Sequence, residues 1–403
     1  INQCSEGGID HGNYVTKGMA EVLAAYNCAL IADMFGDAPC SQAALIDENG
    51  SPVYLTPKMD KQEEIYTQAM QYLDDAIADL QKEDLIDPEA QDLLYQGDAE
   101  KWLKLAYGLK ARYTMHLLKR SANKDADMEK VLEYVNNSFE SAEEQAAFDV
   151  YDANNINPLY GFFVARAGLG ASESMRSKLA EYNDPRLSRA FITKQGTSGK
   201  EQAPGTADNA VYAPNGTPEQ GTSQYGTSLF MYSISAPTLL LRYHELKFLE
   251  AEALCRLERD AKSALKDAVV AGLLNAENSF TISRKELGKT LINAASSITE
   301  AEAESYFDNT IEAKYTAEPL KTTMTQKYFA LWGASGEATE SYNDVRRMKG
   351  LGENFIELKN PNSFPLRCPY GNSDTTTNAE VKAAYGNGQY VYSENVWWAG
   401  GSR

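Results

Sequence analysis

The sequence predicts a mainly α-helical fold, and three observations carry that prediction. Long stretches place apolar residues at helical spacing, helix-starting residues stand where those stretches begin, and few segments alternate as strands do. From Thr16 to Met34, the residues Met19, Val22, Leu23, Tyr26, Leu30 and Met34 fall near one face. From Asp60 to Leu80, Ile65, Ala69, Tyr72, Leu73, Ala76, Ile77 and Leu80 keep helical spacing, and Asp60 with Glu63 has the spacing of a capping box. Asp98 can cap a third helix, with Trp102, Leu105, Ala106, Leu109, Tyr113 and Leu117 inward; a fourth covers 128–139. After Pro237, residues 239–257 are apolar on nearly every side, which predicts a buried central helix. Ala264, Leu265, Ala268, Val269 and Gly272 form the face of an antiparallel partner. Thr299 and Glu302 make a second capping box ahead of Tyr306, Phe307, Ile311 and Tyr315, and further helices are expected over 319–332 and 337–348.

The helices fall in two blocks, about 16–140 and 238–350, which read as one scaffold of helix pairs in a single domain over 1–403. No fixed repeat period is present, and the consensus of 34-residue helical repeats is not met. Two regions, about 141–237 and 351–403, are loop-rich. Residues 193–237 are dense in Gly, Thr, Ser and Pro, with Tyr212, Tyr225, Phe230 and Tyr232 among them. Residues 360–403 are rich in Pro and Asn and end near Val396-Trp397-Trp398. Long loops in a compact domain usually serve a function or stay disordered.

With 403 residues, 43% of them hydrophobic, the chain can bury a core without disulfide or metal staples. The net charge of −19 repels phosphate backbones and anionic lipid, which argues against nucleic acid and direct membrane-surface binding. None of the five cysteines forms a Cys-x-x-Cys pair, so zinc and thioredoxin-like sites are not expected. Cys28 and Cys255 fall in helical patterns and read as small buried apolar residues. No apolar run is expected to reach the ~18 residues of a membrane span. Ile1-Asn2-Gln3-Cys4 opens the sequence with no charged or apolar leader before it.

Catalytic signatures are sparse. His11, His116 and His244 have no triad context, and no nucleophile elbow, His-Glu-x-x-His or P-loop occurs. A glycosidase needs only a carboxylate pair. Glu245, Glu250 and Glu252 on the apolar helix are the candidates, with Arg242, Lys247 and Arg256 as the bases that would instead hold them in ion pairs. The run Asp149–Asn157 offers oxygen ligands to calcium but lacks the Gly and terminal Glu of an EF-hand, so an Asx-rich turn is the plainer reading. No cofactor is expected, with calcium the one metal left open. Arg346 and Arg347 read as structural, paired with Asp344 or another helix.

Short motifs punctuate the helices. Met34-Phe35-Gly36-Asp37-Ala38-Pro39 closes the first, and Gly97-Asp98-Ala99-Glu100-Lys101-Trp102 opens the third. Asn183-Asp184-Pro185-Arg186-Leu187 ends the first half, and the apolar helix begins Tyr243-His244-Glu245-Leu246-Lys247-Phe248. Gln326-Lys327-Tyr328, Tyr342-Asn343-Asp344-Val345-Arg346-Arg347, Phe364-Pro365-Leu366-Arg367 and Val396-Trp397-Trp398 follow. In this order and spacing, over about residues 16–398, the chain resembles the SusD/RagB family, and within it the SusD-like, starch-binding-associated branch. The resemblance implies a SusD-like fold of tetratricopeptide-like helix pairs with a loop-rich, ligand-binding part. It also implies an outer-membrane lipoprotein at the cell surface that hands glycans or peptides to a SusC-like TonB-dependent transporter without breaking bonds. Family members carry a signal peptide, a lipid-attachment cysteine and further N-terminal helices, whereas this sequence starts inside that pattern. Cys4 lacks the residues that precede a lipidated cysteine, so membrane attachment is expected only through an N-terminal lipid anchor outside this sequence. Met348-Lys349-Gly350-Leu351-Gly352 also stands where the family often has Pro.

A glycan site needs aromatic faces for sugar C–H surfaces, and amides or carboxylates for hydroxyls. Loop residues supply both. Tyr212, Tyr225 and Tyr232 form one group; Asn155, Asn157 and Tyr160, beside Phe162 and Phe163, form another. Trp397 can line a site or anchor the C-terminal segment. The expected ligand is an oligosaccharide or polysaccharide, with a peptide as alternative and a carboxylate-pair glycosidase as the rival from another class.

Overall fold

The computed structural model describes residues 1–403 except 167–168, 194–202, 206–208, 217–224, 334–337, 361 and 387–389. Much of the 193–237 loop therefore lies outside the described residues. The chain forms two compact units, Ile1–Ser138 with Asn343–Asn354 and Ser363–Arg403, and Phe139–Tyr342 with Phe355–Asn362.

The first unit is built on α1 (Tyr14–Phe35), α2 (Gln62–Asp79), α3 (Ala99–His116) and α4 (Lys124–Asn136), with α1 packed on α2 and α3 on α4. By length and composition α1 could cross a membrane, contrary to the sequence expectation, but Val22, Ala25, Ala29 and Ala32 are buried in the packing of this unit. The helix stops at Gly36, whose φ of +81° L side chains rarely adopt. A Cβ there would also lie 2.7 Å from Arg367 Nη2. Asp37, one residue on, is buried and accepts hydrogen bonds from the Gln62 amide at 2.9 Å, Lys61 Nζ and the Tyr385 hydroxyl.

This changes the predicted start of α2. The N-cap is Lys61, whose amide donates to Glu64 Oε2 at 3.2 Å, and Asp37 receives the next amide. Asp60 instead accepts from the Cys40 and Ser41 amides, pinning the loop after α1. The α3 prediction holds, with Asp98 Oδ1 accepting the Lys101 amide. Trp102 is buried and donates its indole N–H to Asp92 at 2.7 Å.

The unit closes around Asp33. Its Oδ1 accepts from the Tyr66 hydroxyl and the Trp398 indole N–H (3.0 Å), and its Oδ2 accepts from Asn343 Nδ2 (3.1 Å). Its backbone oxygen accepts from Arg346 Nη1 at 2.6 Å. The His116 ring stacks on Trp398, and Arg347 pairs with Asp344 at 2.8 Å, the structural role the sequence implied. Here the Pro- and Asn-rich tail forms α13 (Asn372–Thr377) and α14 (Ala379–Tyr385), which sequence periodicity missed because each is under three turns long.

The second unit holds α5 (Pro158–Arg166), α6 (Glu173–Glu181), α7 (Tyr243–Arg256), α8 (Lys262–Leu287), α9 (Glu300–Tyr306), α10 (Glu312–Ala317) and α11 (Pro319–Ala330). The chain passes between units within α12 (Ala338–Leu351). The described sheets are two-stranded, as the scarcity of alternation predicted. β1 (Ala146–Phe148) pairs antiparallel with β4 (Thr238–Leu241), and β2 (Phe191–Ile192) with β3 (Thr227–Ser228). The central helix thus starts at Tyr243, not at 239, because Leu239 and Leu241 point into the core from a strand. Leu246, Phe248 and Leu249 of α7 and Leu265, Leu273 and Phe280 of α8 are buried, each worth roughly 1.5–3 kcal/mol over exposure. A Cβ at Gly272 would lie 2.9 Å from Ala330 Cβ, so only glycine lets α11 approach α8 this closely. The buried Asp184–Arg186 pair is bidentate, and Arg186 Nη1 reaches the Phe329 carbonyl at 2.8 Å.

Replacing Asp33 by Ala leaves the Tyr66, Trp398 and Asn343 donors buried without this acceptor. We expect a loss of roughly 3–5 kcal/mol in urea unfolding followed by tryptophan fluorescence. A change below about 1 kcal/mol would contradict the central role given to this carboxylate.

Candidate functional site

The helical period of α8 generates the larger of two cavities described here. Its inward stripe is buried, and the next stripe round the helix presents Lys266, Asp267, Val270, Ala271, Leu274, Asn275 and Asn278 on one face. The start of α7 adds Tyr243 and His244, α9 adds Glu300 and Glu304 one turn apart, and the segment before β1 adds Ala142 and Gln145. Together they line a cavity of about 430 Å³ in the second unit. Val270, Ala271, Leu274 and the Tyr243 ring give it apolar surface. Gln145, Asn275 and Asn278 make no side-chain hydrogen bond to the described residues, so their amides are available to a ligand.

Charge is distributed unevenly around this cavity. Lys266 pairs with Asp308 at 2.8 Å, and Lys247 with Glu250 at 2.5 Å. Burial pushes the Asp267 carboxyl up, opposed by the Lys247 ammonium. Burial likewise raises the Tyr243 phenol and keeps it protonated. His244 is fully enclosed, and Arg242 Nη1 faces its Nε2 at 3.3 Å. A guanidinium can only donate, so Nε2 accepts and the ring is neutral. Desolvation, then the charges of Arg242, Arg186 and Lys327, hold the His244 pKa well below its ordinary value.

The second cavity, about 370 Å³, lies in the first unit. It is more apolar, lined by Ile31, Phe35, Ala38, Pro39, Leu55 and Val381, with Tyr370, Asp374 and Asn378 at its polar side. The Phe35 and Tyr370 rings stack at 6.1 Å.

The residues picked from sequence lie outside both cavities. Tyr225 and Tyr232 are 7% and 8% exposed, and Tyr232 packs edge-on to Phe163. Asn157 is 1% exposed; its Nδ2 donates to the Ala236 carbonyl and its Oδ1 accepts the Leu159 and Tyr160 amides at the start of α5. The sequence put these three forward as glycan contacts; in the fold they fasten loops to the core, and burial takes up the faces a sugar would need. Tyr212 is half-buried, edge-on to Phe191 and beneath the Arg176 guanidinium, and burial pushes its phenol up to about 12. Trp397 is half-buried under Arg120, whose Nε donates to its carbonyl at 2.7 Å.

Asn155 and Tyr160 remain accessible, with the Tyr160 hydroxyl 3.4 Å from Glu286 Oε1 and Phe162 50% exposed nearby in sequence. In the Asp149–Asn157 run, Asp152 Oδ1 accepts the Asn154 and Asn155 amides, the geometry of an Asx turn. On α7, Glu252 pairs with Arg256 at 2.8 Å and Glu250 with Lys247, as their spacing implied, while Glu245 is buried. The cavity amides Gln145, Asn275 and Asn278 were missed. The only signal was a polar stripe adjoining the apolar stripe of α8, which has the same appearance as an ordinary solvated face.

The sequence profile of the SusD-like family, described as starch-binding and associating with the outer membrane, matches residues 2–370. No curated protein matches the chain. Among solved structures, a SusD/RagB family protein from Bacteroides thetaiotaomicron VPI-5482 is 66% identical with a TM-score of 0.94, over 100% of this chain and 84% of that one. A SusD homolog from Bacteroides fragilis NCTC 9343 is 20% identical with a TM-score of 0.72, over 97% and 85%. A chitin-binding protein is 21% identical with a TM-score of 0.69, over 97% and 82%. The last two share the fold.

The His244 environment fixes a pH dependence. Its folded pKa lies below the unfolded value of 6.5, so the unfolded chain takes up the proton first. Its stability contribution is therefore complete above 6.5 and is lost as the pH falls. Melting curves between about pH 7 and about pH 5 should fall more steeply for the parent than for His244→Gln. Equal slopes would mean that the ring is not held neutral.

Proposed function

Because the chain belongs to the SusD-like, starch-binding family associated with the outer membrane, we propose that it captures an oligosaccharide at the cell surface and passes it to a SusC-like TonB-dependent transporter. The observation that carries the ligand class is the set of amides Gln145, Asn275 and Asn278, which make no side-chain hydrogen bond to the described residues, beside the apolar patch of Val270, Leu274 and Tyr243. Sugars present the same pairing, with hydroxyls at the rim and C–H faces between them. Asp267, Glu300 and Glu304 also line the cavity against Lys266, the single cation among the described lining residues, which is paired with Asp308, and the whole chain carries a net charge of −19. Such a site favours neutral sugars, and disfavours uronic or sulfated ones by like-charge repulsion. The work is capture and delivery, for which no bond need break. An N-terminal lipid anchor would keep the protein at the membrane.

A peptide ligand is the second reading, favoured by the apolar cavity of the first unit, where Phe35, Pro39, Leu55 and Val381 can receive a hydrophobic side chain. Calorimetry against neutral oligosaccharides, acidic oligosaccharides and mixed peptides separates the two. A neutral glycan should bind, and Asn275→Ala or Asn278→Ala should each weaken it about five- to tenfold, the equivalent of one hydrogen bond of roughly 1 kcal/mol. Glycan binding that survives the double substitution would move the site away from this cavity. Binding of peptides alone would replace the glycan reading.

A further inference from the structure

We propose that Cys28 and Cys40 are the two halves of a reversible disulfide that fastens the loop after α1 to the helix itself. All five cysteines are unbonded, but the Cys28 and Cys40 sulfurs lie 3.3 Å apart. A disulfide needs roughly 2.05 Å. The remaining gap of roughly 1.2 Å is of the size that rotation of the two side chains can close. Cys28 stands in the middle of α1, and the Cys40 amide donates to Asp60 Oδ2 at 2.9 Å. Both residues are half-buried, so a small reagent can reach them. The adjacent Asp60 carboxylate is already occupied by the Cys40 and Ser41 amides, the Ser41 hydroxyl and Lys58.

The pair also has an order of attack. The hydrogen bond from Cys40 lowers the Cys28 pKa, against the opposing effect of burial, so Cys28 is the group that reaches the thiolate first. With a small disulfide as oxidant, the Cys28 thiolate attacks one sulfur and expels a thiolate. Cys40 gives its proton to solvent and attacks Cys28 in the mixed disulfide, expelling the second thiolate. The protein loses two hydrogens, and the oxidant is reduced to two thiols. Ala38 and Pro39 lie just before Cys40, while Ile31 and Phe35 lie one and two turns after Cys28. All four line the apolar cavity of the first unit, so the bond would tie its loop wall to its helix wall.

The test uses oxidised glutathione on the folded protein, followed by denaturation, alkylation and mass spectrometry. Cleavage at aspartates separates the cysteines, since Asp33 and Asp37 lie between them and no Lys or Arg does. The expected result is a loss of two hydrogens, a linked pair of peptides containing Cys28 and Cys40, and a Tm several degrees higher that dithiothreitol reverses. Cys40→Ser, checked by circular dichroism to be folded, should stop at a glutathione adduct on Cys28. Full alkylation of both cysteines in the parent protein, or a persistent glutathione adduct there, overturns the pairing. A linked protein with unchanged Tm overturns the fastening role.

Discussion

The first unit depends on one buried carboxylate. Asp33 sits on the inward face of α1, where a charge would be costly unless fully paired. It is paired by groups from α2, from the Asn343–Asn354 segment and from the tail, through Tyr66, Asn343 and Trp398. Each donor is itself buried, so the carboxylate and its donors stabilise one another in a single connected network. Asp37 repeats the device a turn later, joining the end of α1 to the start of α2 and to Tyr385 on α14. In the second unit, Asp184 and Arg186 do the same work and add the Phe329 carbonyl.

This explains what the sequence motifs mean. The residues that made the family recognisable, among them Gly36, Asp37, Asp98, Trp102, Asp184, Arg186, Arg346, Arg367 and Trp398, are turns, caps and buried ion pairs. They hold helices together, and of the family motifs only Tyr243 and His244 reach the lining of the larger cavity. Motif and fold were legible because the scaffold needs particular residues at particular places. A helix start favours a side-chain oxygen, as at Asp98, and a left-handed turn wants glycine, as at Gly36. The cavity wall has no such requirement, since any amide on the right stripe of α8 serves.

The misreadings have physical causes of the same kind. Asp60 had capping spacing but found loop amides closer than helix amides, and Asp37, distant in sequence, took the helix. Residues 239–241 were apolar enough for a buried helix, yet the pairing of Thr238, Leu239 and Leu241 with 146–148 made them a strand, because a short apolar run does not distinguish the two. Tyr225 and Tyr232 sit among glycines and looked accessible. However, a loop folded over a core buries its aromatics as a helix does, and Phe163 and Phe230 show the same economy of space.

The bond from the Trp398 indole to Asp33 spans 365 residues. Helix α1 can therefore form early, but its inner face stays unsatisfied until a segment made hundreds of residues later arrives. The second unit is drawn almost wholly from one continuous stretch, and it has no such wait. The order of assembly is thereby written into the connectivity: the middle of the chain can settle while its ends remain loose. In such a chain the first unit alone stays open until synthesis is nearly complete, because the pairing of its buried carboxylate is completed only by the last residues made.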